Sequence, residues 1–486
     1  MKKNLFYFIF INLAFFVSSC SEDSDNKYEY TPDEQTEVGS NELIDKNSID
    51  ISTDDARKIS AIFGNSQPKL KSSIAKSISE IKTQYDSEGK PTMYVVNYSN
   101  NGGFIIISAT KNYQPILAFS DNGNFDTSNL QDGPKEFYST YNSTLEQINN
   151  EVIDSLRIKF AADWAIFEQP DAPSPEVKSS PVDRQAEIAK WQAKGYECHS
   201  LNAVYSFLPS DKAALFIRDI CSNYHPSFDC MTTAIFLIKR FQESTGKLTQ
   251  TAWGQGAPFN INASNELAGC TPIAMAQIMR FHKWPTSYTW ELISEAGTAS
   301  SETHRFILDV RNRANVTYEA GVTLSDYVKA KNAFNTFNYT AVLYDYYGSS
   351  DIQRIAGEVK ARRPVYMSGN RSGENVGHAW VCEGYKVNKI QYSAVMIGNE
   401  MISPSGGIEY MHYTGTTETT NQYFYMNWGW KGRFDGWFSL GNAGHDITHD
   451  PSDNENPYNI EDYNLWDYGS INYKGNMKYI TVKDNR

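Results

Sequence analysis

Apolar positions first fall into a helical rhythm at Ala56, Ile59 and Phe63, one face of a helix opened by Ser52-x-x-Asp55 and closed at Gly64. Three β-rich runs follow, Met93 to Tyr98, Phe104 to Ser108 and Ile116 to Phe119. The first two flank Ser99-Asn-Asn-Gly-Gly103 and predict a hairpin with a Gly-rich loop. Phe137 to Leu156 returns to helical spacing through Tyr141, Leu145 and Ile148. Residues 45–160 thus read as a compact α+β unit. Gln169 to Arg184 sets Pro170, Pro173, Pro175 and Pro181 among polar residues, as a linker does. Residues 185–247 predict a mostly helical segment, giving a linker-plus-helical stretch over 161–247. From Leu248 the chain turns to Trp, Gly, Asn and Tyr, the mark of a mixed, loop-rich domain over 248–486, with Met477 to Val482 as its closing strand.

Leu5 to Val17 is apolar apart from Asn12 and follows Lys2 and Lys3. The run is shorter than the roughly 20 residues that span a bilayer and predicts a secretory signal peptide over 1–19. Val17-Ser18-Ser19-Cys20 resembles a bacterial lipobox, in which the Cys is lipidated and becomes the new N-terminus. The acidic residues after Cys20 resemble the export signal of surface-exposed lipoproteins. These resemblances imply an extracytoplasmic protein at the outer membrane or cell surface, held to the membrane by the Cys20 lipid alone. Residues 20–44, polar and acidic, predict a disordered tether.

The 486 residues suggest about three domains at roughly 150 residues each. At 40% hydrophobic and 21% charged, with 31 Tyr, 25 Phe and 10 Trp, the chain is neither disordered nor collagen-like. A net charge of −13 without a basic block excludes a nucleic-acid partner, since phosphate contact needs clustered Lys and Arg.

Chemistry concentrates after Leu248. Gly269-Cys270-Thr271-Pro272 precedes a helical pattern running to His282, and Pro272 suits a first helical turn. Cys270 is thereby placed at a helix N-terminus, where free N–H groups and the dipole favour a thiolate nucleophile. A thiolate needs a base. His282 lies about 18 Å down the same helix at 1.5 Å per residue and is out of reach. His378, in the strand-like Gly377-His-Ala-Trp-Val-Cys382, can project into a cleft and shares a strand face with Trp380 and Cys382. Asn427, followed by Trp428, can orient the imidazole while Trp428 shields that bond from water. Gln255, in the loop Trp253-Gly-Gln-Gly256, and the Cys270 backbone N–H can supply oxyanion donors.

These segments resemble the streptopain family of bacterial cysteine peptidases, which have a papain-like fold. The matching stretches are Trp253 to Asn260, Ala268 to His282, Arg363 to Tyr366, Gly377 to Val381, Asn427 to Trp430 and Asp435 to Phe438, in the family's order. Tyr94 to Asn97, Gly102 to Ser108 and Pro115 to Ser120 resemble the family's inhibitory pro-domain. The resemblance implies an α+β chain: a papain-like catalytic domain preceded by a small α+β pro-domain that disturbs the active site until cleaved. It implies Cys270 as nucleophile, His378 as general base and acid, Asn427 as the residue orienting His378, Trp428 as shield and Gln255 as oxyanion donor. The expected function is a secreted, lipid-anchored cysteine endopeptidase zymogen acting on proteins or peptides through a thioester, needing no metal or cofactor. The alternative is a catalytically silent or regulatory binding or inhibitor protein with the same fold; transfer of the acyl group to an amine is a third reading. The chain departs from the family at Val376, Lys431 and Glu383, where Gly, Gly and Asp are usual.

Of the other cysteines, Cys198, Cys221 and Cys230 share one segment, so a disulfide within it is expected with the third Cys free. Cys382 is expected to be buried on the His378 strand. The acidic, Asn-rich 442–467 reads as a solvated loop.

Overall fold

A computed structural model describes residues 28–30, 43–45, 48–66, 76–150, 157, 160–161, 163–168, 184–208, 210–221, 230–260, 267–319, 322–346, 348–370, 377–396, 412–440 and 477–486. The signal peptide, Cys20, nearly all of the Pro-rich linker and the 442–467 loop lie outside the described residues.

The first unit comprises β1 (Tyr28–Tyr30), α1 (Thr53–Ser66), β2 (Ile78–Tyr85), β3 (Pro91–Tyr98), β4 (Phe104–Ser108), β5 (Ile116–Ser120) and α2 (Pro134–Asn150). The four strands β2 to β5 form an antiparallel meander, and β1 pairs with β2, so the expected tether contains an edge strand at Tyr28–Tyr30. Ser52 caps α1 as its spacing predicts: its hydroxyl accepts from Asp55 N at 3.1 Å, and Asp55 Oδ2 accepts from Ser52 N at 3.0 Å. The helix runs past Gly64 to Ser66, because a single Gly near a helix end is only a mild breaker. The unit extends beyond 160. Ile44 N donates to Phe167 O, and the Lys111 ammonium, nearly buried, binds Asp45 O and Glu168 Oε1, both at 2.6 Å, tying the two ends together.

The second segment contains α3 (Arg184–Ala193), β6 (Glu197–Ser200), α4 (Val204–Phe207), α5 (Ser210–Cys221), α6 (Cys230–Thr233) and β7 (Ala234–Lys247). The mostly helical expectation fails for 234–247. Ala234 to Ile238 is a short, continuous apolar run, which fits a helix or a strand equally by pattern; pairing decides it. Cys221 and Cys230 form a disulfide, and Cys198 is free, as expected.

The third unit comprises α7 (Cys270–His282), α8 (Ser301–Arg313), β8 (Thr317–Glu319), β9 (Val322–Leu324), α9 (Tyr327–Thr336), β10 (Tyr339–Asp345), α10 (Ser349–Lys360), β11 (Val365–Asn370), β12 (Gly377–Met396), β13 (His412–Asn427), β14 (Gly436–Ser439) and β15 (Lys478–Asp484). Its sheet runs β14-β13-β12-β11-β15-β10, so the C-terminal strand inserts between β11 and β10. β12 and β13 are far longer than their apolar cores suggest, and their extension carries β7. The α+β class read from the sequence holds.

Alternation along β12 divides the core. Trp380 and Cys382 face a cluster continuous with the first unit, while Ala379 and Val381 face the cluster around α7. The first unit joins the sheet of the third unit directly: β5 pairs with β14, Phe119 opposite Trp437 and Ala118 opposite Phe438.

Candidate active site

Gly269 adopts φ +98°, a conformation strained for any residue with a Cβ. This turn starts α7 at Cys270, as the sequence predicts, so first-turn N–H groups converge on the half-buried thiol. Desolvation is the leading effect and raises the thiol's pKa. The N–H groups of Ala379, Thr271 and Cys270 and the Thr271 hydroxyl pull it back. Ala379 follows His378, so α7 and β12 bring the two sequence-selected residues to one corner.

His378 is 4% exposed. Its Nε2 lies 2.8 Å from the Trp428 carbonyl oxygen. A carbonyl only accepts, so Nε2 carries the proton and Nδ1 is left as the basic nitrogen. The imidazole stacks on Trp430 at 5.4 Å between centroids and 8° between planes. Burial pushes its pKa down to about 4, opposed by the Trp428 carbonyl and by Asp132. Among the described residues no hydrogen bond joins Cys270 to His378, and both groups are held neutral.

Asn427 does not orient His378 here. It lies opposite Val381 in the β12–β13 register, three residues along from His378. Its Oδ1 accepts from Gln277 Nε2 at 2.9 Å and Gly429 N at 3.2 Å, and its Nδ2 donates to Thr251 O at 2.9 Å. Asn427 therefore ties α7 to the segment leading into the Gln255 loop, and the orienting bond passes to the next residue's carbonyl. Trp428 is fully buried beside His378, packed against Trp380 and Phe438. Gln255 is buried as well, and its carbonyl accepts from Ala268 N at 2.8 Å, two residues before Cys270. Its loop is tied to the Trp430 loop by a Gly254–Trp430 bridge and by Lys431 N on Trp253 O at 2.9 Å. Lys431, where Gly is usual, holds φ +58°.

The first unit sits on the histidine. Trp430 Nε1 donates to Asp132 O at 3.2 Å, and Phe137 packs on Trp380 and Trp428. Gly133, at φ +90°, approaches so closely that a Cβ would lie 2.6 Å from Trp428 and 3.0 Å from His378. No side chain fits there.

Four site features escape sequence reasoning. Trp430 lies in a quoted motif, but its stack on His378 is a tertiary fact. Gln277 had a faint signal, a polar residue in an otherwise apolar helix. Gly133 had none. The fourth is a pair of buried acids. Glu383, hydrogen-bonded by the Thr249 hydroxyl, is pushed by burial up to about 8; Asp435 is pushed likewise up to about 7. No group of His, Cys, Asp or Glu among the described residues is arranged to hold a metal.

Residues 48–145 match the family model of the Spi protease inhibitor, and residues 253–306 and 286–438 match that of the peptidase C10 family. The thiol protease/hemagglutinin PrtT of Porphyromonas gingivalis is 21% identical over 469 residues, covering 84% of this chain; the chain spans 42% of that relative's length. Among solved structures, a fragment of Prevotella intermedia prointerpain A shares 15% identity at a TM-score of 0.41, covering 84% of this chain and 98% of its own. Active interpain A cysteine protease of the same organism shares 15% at a TM-score of 0.32, covering 49% and 94% respectively. Residues 253–438 thus match the peptidase C10 family, the streptopain-type cysteine peptidases, with a match to the Spi protease inhibitor ahead of them in the same chain.

Proposed function

We propose that this chain is the zymogen of a cysteine endopeptidase, exported and anchored by lipid on Cys20, with the unit ending near residue 168 as its intramolecular inhibitor. The observation that carries the reading is the Cys270 thiol at a helix N-terminus, on the amide next to His378, while Gly133 of the first unit covers that imidazole.

In the active form Cys270 Sγ attacks the substrate carbonyl, and its proton passes to His378 Nδ1. The tetrahedral oxyanion is met by the Cys270 N–H and the Gln255 amide. Collapse forms a thioester as His378 gives its proton to the leaving amine. Water, deprotonated by His378, then hydrolyses the thioester and frees the thiol. In the resting arrangement thiol and imidazole are neutral and unpaired, as a latent enzyme requires. Withdrawal of Gly133 uncovers the imidazole while the Trp428 carbonyl keeps hold of Nε2.

β7 pairs with β12 from Lys247 to Ala234, so a cut ahead of Arg184 leaves the 184–247 segment on the peptidase.

The test is incubation of residues 21–486, wild type and Cys270→Ala, under reducing conditions with casein, following intact mass. Shedding of an N-terminal fragment and casein cleavage, both absent in Cys270→Ala, are expected. A wild type that stays whole and inert, even after an added protease cuts the linker, would favour the binding-protein reading.

A further inference from the structure

Two groups on one loop face the His378 ring: the Trp428 carbonyl on Nε2 and the Trp430 indole stacked on the imidazole. Asp435 closes that loop across its base, while Asn427 Oδ1 holds Gly429 N from the strand side. Asp435, 5% exposed, accepts from Trp428 N through Oδ1 at 2.9 Å. Its neighbour Phe434 accepts from the Trp428 indole N–H at 3.1 Å. Phe434 holds φ +64°, a left-handed conformation costly for a residue with a Cβ, and this bend turns the Phe434 carbonyl and Asp435 carboxyl onto the same tryptophan. Between the ends, Gly429, Lys431 and Gly432 are left-handed too, so the loop is a tight coil with its ends pinned together.

We propose that Asp435 is a positioning residue for the peptidase reaction: by pinning the Trp428 backbone it fixes the carbonyl and the indole that together set the tautomer and plane of His378. It touches neither substrate nor the reacting atoms. The inference rests on the peptidase reading for its catalytic consequence but not for its structural one. Released from Asp435, Trp428 N must find another acceptor in a buried site, and the loop can relax from its strained turns. The carbonyl then no longer holds Nε2–H, Nδ1 ceases to be the defined base, and the nucleophile loses its partner's orientation. Burial favours the neutral form of Asp435, and either protonation state keeps an oxygen for the Trp428 amide, so the function is that of an acceptor rather than a charge.

The test uses the full chain with Cys270→Ala, which keeps it intact, labelled with ¹⁵N-histidine. The His378 resonances are identified by their loss in His378→Gln. The parent is expected to show the Nε2-protonated tautomer alone. Asp435→Ala is expected to show a mixture of both tautomers, and Asp435→Asn, which keeps the acceptor, the parent pattern. In processed enzyme carrying Cys270, Asp435→Ala is expected to lower kcat about 10- to 100-fold with KM within about threefold, and Asp435→Asn to restore most of it. A parent tautomer retained in a folded Asp435→Ala chain would overturn the proposal, as would a loss in Asp435→Asn equal to that in Asp435→Ala. If the processed wild type hydrolyses no peptide, the peptidase reading fails, while the tautomer comparison still decides the role of Asp435.

Discussion

Asn427 shows how a residue identity can be legible while its partner is not. A polar residue beside a Trp near the end of a strand points to the site. The bond it makes, to Gln277 rather than His378, depends on where α7 lies against β13. Asn427→Ala leaves the buried Gln277 amide and the Thr251 carbonyl unpaired. It is therefore expected to cost about 2–4 kcal/mol of stability in urea unfolding of the Cys270→Ala chain. It should leave the His378 tautomer as it is, whereas an orienting Asn427 would alter it. Cys270 itself is protonated in the resting chain, because desolvation outweighs the helix amides. Its alkylation by iodoacetamide is expected to be slow below the free-thiol range of about 8.5 and to shift to lower pH once the inhibitory unit is removed. An unchanged profile after removal would mean that the unit does not control the thiol.

At the scale of elements, the inhibitory contact is a turn and a strand. The Asp132-Gly133 turn ahead of α2 fits over His378 only because Gly133 has no side chain. Gly133→Ala is expected to lift the turn and raise the rate of Cys270 alkylation in the uncut chain about tenfold or more. A rate equal to wild type would show that the turn does not occlude the site. The strand contact, β5 on β14, is reinforced by Phe119, which stacks on Trp437 and meets Tyr423 edge-on, with the Lys386 ammonium over both Phe119 and Trp437. Phe119→Ala removes this apolar seam and is expected to weaken retention of the cut inhibitory unit by about tenfold or more, measured by gel filtration after nicking the linker. Co-elution as tight as wild type would place the binding energy elsewhere. In the first unit α1, β3, β4, β5 and α2 were readable because each is bounded by turn residues or carries its own period, whereas β1 and β2 were not, since their polar residues give no clear period. The strand at Ala234–Lys247 was not, since an apolar run with no alternation becomes a strand only when a partner such as β12 offers its edge.

At the scale of the whole molecule, pH acts on the buried groups in opposite senses. His378 titrates at about 4 in the folded chain against an ordinary 6.5. The unfolded chain binds that proton first, so stability is lost as pH falls from 6.5 towards 4, by up to roughly 3 kcal/mol. Asp435 and Glu383 are raised to about 7 and 8. Their contribution is complete below the ordinary carboxylate range and is lost as pH rises through those values. Between about pH 4.5 and 6.5 the two carboxyls lose stability while the histidine gains it, and two carboxyls outweigh one histidine, so these groups together favour the acid side. In urea unfolding of the Cys270→Ala chain against pH, adding His378→Gln should remove the opposing gain, steepening the fall between about pH 4 and 6.5 and leaving the fall through about 7 to 8 as it is. A slope between about pH 4 and 6.5 equal with Gln and with His would show that His378 does not titrate there.

Local chemistry explains what could be read in advance. A Gly-Cys-x-Pro at the head of an apolar period specifies a helix with a thiol at its N-terminus, since backbone sterics and the dipole act within one turn. The β3–β4 hairpin and the β5 strand of the first unit, the β12 face shared by His378, Trp380 and Cys382, and a disulfide somewhere within 198–230 follow from side-chain period and proximity alone; β2 and the Cys221–Cys230 pairing do not. The tertiary structure decided which atoms meet: Trp428 O and not Asn427 on His378, Gly133 in the space a side chain would fill, Asp435 at the base of the loop, and burial around the Cys270 thiol and the His378 imidazole that favours their neutral forms. Those outcomes depend on burial and on contacts between segments up to some three hundred residues apart, and neither a desolvation cost nor a close approach is written into any single stretch of chain.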